Sequence, residues 1–243
     1  MFCSYLLLQK MLSRFSIPLI LFTLILFTFL IFNNLINNRF KNKLFVNYMS
    51  HFLSECKLKK FAVLKLYVNK ENKELLDLYK KHVVGHNNNV LNDEFPNSGF
   101  DIFLPKEKIF DIELYTTLIN FEIKTEMIYH DTYQGSIEKS AFYIFPRSSL
   151  SKTPLMLSNH TGIIDCGYRG WLQGAFRWLN SIPVKIPGLP NEYALEKHTR
   201  IIQICHPSLC PILVELVDDS DLSTTTRGDG GFGSTGTIGA IKN

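Results

Sequence analysis

This sequence has no cysteine framework. Its five cysteines (Cys3, Cys56, Cys166, Cys205 and Cys210) are odd in number, form no CxxC pair and have no histidine at zinc-finger spacing. That excludes a disulfide scaffold or a structural zinc module, and the thiols suit a reducing compartment. Charge of one sign is equally scarce. A net charge of +4 without a basic stripe argues against a dedicated nucleic-acid binder, so no stable nucleic-acid partner is expected. A small polyanionic substrate stays open, because a few placed Arg and Lys suffice for it. Charged residues reach 20% against 46% hydrophobic, so burying a core presents no difficulty. Beyond the first fifty residues there is no long helical period and no internal repeat, which argues against a helical bundle or a solenoid.

The one long hydrophobic run lies at the start. From Ile17 to Phe32 the chain is uncharged and apolar apart from Thr23 and Thr28; extended to 15–36 it is long enough to span a bilayer. Lys10 and Arg14 on one side nearly balance Arg39, Lys41 and Lys43 on the other, so the charge rule sets no orientation. No A-x-A-like site follows, which disfavours a signal peptide. Two readings stand: a membrane anchor at 15–36, or an upstream extension of A/T-rich coding character with the true start at Met49. Residues 1–50 are accordingly set apart as an extension, 61–226 as the folded domain, and 227–243 as a glycine-rich arm.

Phe61-Ala-Val-Leu-Lys-Leu-Tyr-Val68 reads as a strand. Glu74 to His82 makes one short helix, and Asn-rich Gly85 to Pro96 reads as a loop. Short apolar runs follow at Ile109–Leu114, Phe121–Tyr129, Ala141–Phe145, Ile163–Ile164, Ile201–Cys205 and Ile212–Val217, punctuated by Gly and Pro. Many short strands at such spacing indicate an all-β sandwich or barrel. Ser223 to Asn243 is rich in Gly, Ser and Thr and is expected to be mobile without a ligand.

The richest stretch is Arg227-Gly-Asp-Gly-Gly-Phe-Gly-Ser-Thr-Gly236. Its glycines let backbone N–H groups face an anion, Ser234 and Thr235 add hydroxyls, and Arg227 can grip phosphate with both nitrogens. No Gly-Lys-Ser/Thr follows, so it is not a Walker loop. Phe232 is out of place in a plain linker, whereas a ring there can close over a flat base. Gly162-Ile-Ile-Asp-Cys-Gly-Tyr-Arg-Gly170 reads as strand, turn and return, with Asp165 at a hairpin mouth where it can orient water and Tyr168 placed to stack on a sugar. An Asp in such a turn is more often just a turn-former. Pro146-Arg-Ser-Ser-Leu150 offers Arg147 and Ser148 to phosphate oxygens. Gly99-Phe-Asp-Ile102 carries a carboxylate in a strand-opening turn. Arg200-Ile-Ile-Gln203 alternates, which places Arg200 and Ile202 on one face and Ile201 and Gln203 on the other.

Taken in order, these five segments resemble the five motifs of the trimeric, all-β dUTPase family, over about residues 61 to 243. The resemblance implies a jelly-roll-like β-barrel with one short helix, assembled as a homotrimer. Its sites would lie between subunits, with the arm closing over a neighbour's site. It implies hydrolysis of dUTP to dUMP and pyrophosphate with Mg²⁺ on the triphosphate. Asp165 would be the general base for in-line attack on the α-phosphorus. Tyr168 would exclude a 2′-hydroxyl, and backbone of the hairpin, Gly162 and Ile164 included, would read uracil. Asp101 would sit by the metal through its water shell. Arg147, Ser148, Ser149 and Gln203 would contact the phosphate chain. Arg227, Gly233, Ser234 and Thr235 would take the β- and γ-phosphates while Phe232 caps the base.

Some residues depart from the family pattern. Ser149 stands in a glycine position and leans toward the dCTP deaminases, but Trp171 to Arg177 supplies no glutamate for their chemistry. Trp171 replaces a common acidic residue, and Gly174 to Lys197 reads as a remodelled hairpin. Asn159-His-Thr161 matches a glycosylation acceptor beside the catalytic hairpin, where a glycan would obstruct the site. A cytosolic or nuclear domain follows, anchored to a membrane if 15–36 is genuine. The rival reading from a different class is a dUTPase-like protein that binds or regulates rather than turns over.

Overall fold

The computed structural model describes residues 58–111, 116–179 and 192–231. The apolar stretch 15–36 lies outside them, as do Phe232, Gly233, Ser234 and Thr235. No helix among the described residues is long and apolar enough to cross a membrane.

The described chain forms four small sheets around one core. The first has β1 (Lys60–Val68) between β13 (Ile212–Leu216) and β5 (Ile123–Asp131), with β6 (Ser136–Ser140) outside β5. The second runs β2 (Gly99–Phe103), β12 (Arg200–Cys205), β7 (Phe142–Pro146), β9 (Gly162–Ile164). The third is β4 (Thr117–Asn120), β10 (Gln173–Trp178), β8 (Leu155–Leu157), and the fourth pairs β3 (Lys108–Asp111) with β11 (Glu192–Leu195). Apart from the parallel β1–β13 pair, the pairings among the described residues are antiparallel. In β1 the side chains of Ala62, Leu64, Leu66 and Val68 are buried at every second position, as a one-sided strand requires. Leu64, Ile202, Phe176 and Phe110, one from each sheet, share the same apolar cluster. This is the all-β, jelly-roll-like arrangement the sequence led us to expect.

The helix departs from expectation. It is α1, Lys73–Asn92, and its 20 residues take in most of the segment read as an Asn-rich loop. Asn72 caps its start by accepting from Leu75 N, and Leu75, Tyr79, Val83, His86 and Val90 are buried along one face. The asparagines that looked like loop formers serve the sheet edge instead. Asn87 donates to Val214 O at 2.8 Å and accepts from Val214 N at 2.9 Å, so its amide replaces a missing strand beside the outer edge of β13. His86 Nε2 lies 2.8 Å from Ile212 O on the same edge.

Two hairpin readings are also corrected. β9 pairs with β7, while the return strand β10 joins β4 and β8 in another sheet. β10 and β11, at the two ends of Gly174–Lys197, the segment read as a remodelled hairpin, likewise lie in separate sheets, and its centre, 180–191, lies outside the described residues.

Candidate active site

The motif residues collect into two groups at the two ends of the second sheet. At one end, Asp101 on β2 lies across from Gln203 on β12. Asp101 Oδ1 meets Arg147 Nε at 2.7 Å and Oδ2 meets Arg200 Nη1 at 3.0 Å. The simple alternation read for Arg200–Gln203 fails here. A bulge shifts the register between Arg200 and Ile202, so Ile201 and Ile202 are both buried. The extra residue turns Arg200 to the same carboxylate that Gln203 faces. Arg200 is a member that the sequence reading quoted but gave no role.

Around that carboxylate the backbone is pinned. Arg147 N donates to Ile201 O at 2.9 Å, while Arg147 Nη1 and Ser149 Oγ donate to Arg200 O at 3.2 and 3.3 Å. Ser148 opens a short 3₁₀ turn, Ser148–Lys152, and is exposed. Gly99 lies so close to Gln203 that a Cβ there would stand 2.3 Å from its Oε1. One carboxylate between two guanidiniums leaves this end net positive and fit for phosphate.

At the other end, Asp165 follows β9 directly and heads a turn closed by Tyr168 N donating to Asp165 O at 3.0 Å. Tyr168 Oη donates to Trp171 O at 2.8 Å, and a Cβ on Gly170 would sit 2.5 Å from Tyr168 Oη, so the ring is fixed by its own loop. Burial raises the Tyr168 hydroxyl above its usual range, Asp229 adding and Arg227 opposing. Arg227 Nη1 meets Asp165 Oδ2 at 2.5 Å, with both side chains about half exposed. Gly162, Ile164, Asp165, Tyr168, Asn159 and Arg227 border a cleft of about 200 Å³. A Cβ on Gly162 would stand 3.3 Å from Ile144 Cβ, a tight contact. A second cleft of about 260 Å³, bordered by Lys106, Lys108 and Leu118, contains none of these residues.

The arm, expected to be mobile from Ser223 onward, is docked in its described part. Thr225 Oγ1 donates to Gly167 O, and Arg169 N donates to Gly228 O at 2.7 Å. Sequence reasoning missed Arg169 and Thr225, since only a tertiary pairing gives them partners.

The two ends do not meet within one chain. β7 and β9 pair with Ile144 opposite Gly162 and Phe142 opposite Ile164. Asp165 therefore falls beside Ala141, whereas Arg147 lies six residues further along β7, about 20 Å away along an extended strand.

Asp101 suits an ion held at second hand. Both its oxygens are engaged by arginine, and no group of three His, Cys, Asp or Glu placed to hold a metal occurs among the described residues. Such a donor set fits Mg²⁺ that arrives on a nucleotide and keeps its waters better than a protein cage.

No family model matches the chain. The deoxyuridine 5′-triphosphate nucleotidohydrolase of Alkaliphilus metalliredigens is 32% identical over 142 residues, 58% of this chain and 83% of that protein. The protein of the same name from Hydrogenobaculum sp. is 33% identical over 142 residues, 57% of this chain and 83% of its own length. Among solved structures, the dUTPase from phage phi11 of S. aureus is 17% identical over 47% of this chain and 78% of its own, with a TM-score of 0.34. An overlay that loose carries no argument, and the fold rests on the strand register above.

Proposed function

The chain belongs to the dUTPase family, and from that premise we propose that it hydrolyses dUTP to dUMP and pyrophosphate. The observation that carries the reading is the Asp165 carboxylate at the rim of a cleft, with a fixed tyrosine and the arm's arginine beside it. Asp165 orients a water on the α-phosphorus and takes its proton as the new P–O bond forms. The bond from the α-phosphorus to the bridging oxygen breaks in line, and pyrophosphate leaves. Tyr168, immobilised by the Trp171 carbonyl, packs on the deoxyribose and leaves no room for a 2′-hydroxyl. Gly162 and Ile164 present backbone groups to uracil at the free edge of β9.

Arg147, Ser148, Ser149 and Gln203 take the phosphate chain. Mg²⁺, when bound, supplies positive charge to the phosphate oxygens, with Asp101 holding it through water. Arg227, Gly233, Ser234 and Thr235 add donors to the β- and γ-phosphates, and Phe232 covers the base. Chemistry of this kind is accelerated by positioning and charge neutralisation.

The 20 Å between the two ends supports a site shared by subunits, in which one copy's Asp165 end faces another copy's Asp101 end. A three-fold homotrimer arranges this with each subunit giving one of each. Asn159 borders the cleft, so a glycan on its acceptor sequence would fill it, which supports a cytosolic or nuclear catalytic domain.

The test is pyrophosphate release by the full chain from dUTP, dCTP, dTTP and UTP with Mg²⁺, beside Asp165→Asn. Release from dUTP alone, lowered roughly 10²–10⁴-fold in the variant, is expected. A folded oligomer that binds dUTP without turning it over would replace this reading with a binding or regulatory one.

A further inference from the structure

Trp171 stands where an acidic residue is common, and its indole is gripped by the outer face of the first sheet. Lys124 Nζ lies 5.0 Å from the centre of that ring system and 5.7 Å from the centre of the Tyr67 ring. Tyr67 and Lys124 are opposite each other in the β1–β5 pairing, so both project from one side of the sheet. The Tyr67 and Trp171 rings lie 5.9 Å apart at 39°. Asp219 steadies the ammonium through both carboxylate oxygens, at 3.0 and 2.8 Å, and the Lys124 side chain is only 20% exposed. A cation that has shed much of its water holds an aromatic face more firmly than a fully hydrated one.

The backbone next to the indole is fixed as well. Leu172 N donates to Ile123 O at 2.8 Å, Phe121 N donates to Leu172 O at 2.9 Å, and the Leu172 side chain is buried. Adjacent residues of β5, Ile123 and Lys124, thus hold adjacent residues of the loop, Leu172 by its main chain and Trp171 by its ring. The Trp171 carbonyl and the Leu172 N–H belong to one planar trans peptide and point opposite ways. Bonding that N–H to β5 therefore aims the carbonyl away from β5, where it accepts the Tyr168 hydroxyl at 2.8 Å. We propose that Trp171 is a positioning residue for sugar discrimination. Its clamped indole stops the 171–172 peptide from rocking about the Leu172 bond, and the carbonyl so held fixes the Tyr168 ring. A ring free to shift by about 1 Å would admit a 2′-hydroxyl. The inference rests on the reading that Tyr168 packs on the deoxyribose.

The test is the ratio of kcat/KM for dUTP to kcat/KM for UTP, measured with Mg²⁺ on the full chain beside Tm. The variants are Trp171→Ala, Trp171→Phe, Lys124→Met, Tyr168→Phe and Trp171→Ala combined with Tyr168→Phe. In Trp171→Ala the ratio falls about tenfold or more, since a displaced positioning group costs that order. Trp171→Phe keeps a ring and restores most of the ratio, while Lys124→Met, which keeps the stem and loses the charge, falls between. Tyr168→Phe removes the hydroxyl that the carbonyl holds, so adding Trp171→Ala to it lowers the ratio little further. A residue that only packs would lower Tm and leave the ratio at its wild-type value. An unchanged ratio in Trp171→Ala overturns the inference, and so does a full additional loss on top of Tyr168→Phe. If Trp171→Ala does not fold, Lys124→Met decides by the same ratio. A wild type that turns over UTP as readily as dUTP would instead overturn the reading of Tyr168, and this inference with it.

Discussion

Replacing Arg169 with alanine tests whether the buried node joining arm and turn carries stability. In the wild type Glu126 is almost wholly enclosed, and its carboxylate is satisfied by Ser223 N and Oγ, by Arg169 and by Lys139 at 3.3 Å. Burial alone would raise its pKa, but the Ser223 bonds, with Arg169 and Lys139, more than offset this and hold it below the usual range. Arg169→Ala leaves the carboxylate buried without its guanidinium, a class of change costing about 3–5 kcal/mol. Lys139 is half exposed but stays, and the two Ser223 bonds remain, so the low end, about 3 kcal/mol, applies. For a domain of this size that lowers Tm by about 6–12 °C. The pH dependence supplies an internal check. A depressed carboxyl contributes stability above its unfolded value near 4.5, and the contribution drains as pH falls through the folded value. The gap between variant and wild type is therefore full at pH 7.5 and shrinks below about pH 4.5. Adding Glu126→Gln to Arg169→Ala removes the stranded charge, so the double variant loses less than the two singles summed. Thermal unfolding of all four proteins at both pH values is the assay. An Arg169→Ala Tm within about 2 °C of wild type, or strict additivity, would refute the reasoning.

Truncation before Arg227 removes the arm's cation but not the core, so turnover falls by at least about 10²-fold while the oligomer elutes unchanged; a truncated enzyme of near-normal kcat counts against the arm's role. Gly170→Ala drives a Cβ to 2.5 Å from Tyr168 Oη and displaces the ring. Steady-state kinetics should show weakened preference for dUTP over UTP, with a modest stability loss of about 1–3 kcal/mol. His82, packed 4.9 Å from both Phe100 and Phe103, is pushed down to about 4 by burial, with His86 adding. The unfolded chain binds this proton near pH 6.5 and the folded chain only near 4, so acid draws stability away across that window. His82→Phe should flatten the fall in Tm between those pH values; an unchanged slope would place the acid sensitivity elsewhere.

What the sequence disclosed followed the range of the interactions involved. β1 announced itself because alternation is local: four side chains at period two face the core. The Asn-rich half of α1 did not, because asparagine is a poor helix former in isolation. It is used here since Asn87 finds the open edge of a strand about 127 residues away in sequence. The bulge in β12 left a trace that simple alternation overlooked. Two adjacent isoleucines between Arg200 and Gln203 are both buried, which a regular strand with one wet face does not allow.

The candidate site was legible as residue types, and the placement of those residues at two ends of one sheet was not. Asp165, Tyr168, Arg147 and Gln203 stand out by motif, because phosphate, water and sugar each call for a particular side chain. Which of them belong together depends on the register of β9 on β7, and that pairing is not written in either strand's composition. A shift of one residue would send Ile164 to the opposite face but would hardly change the separation of Asp165 from Arg147, which antiparallel pairing itself imposes. A chain of this topology cannot fold the two ends of its second sheet onto one nucleotide. The same antiparallel geometry that makes the subunit a stable sheet therefore keeps the two groups about 20 Å apart within one chain.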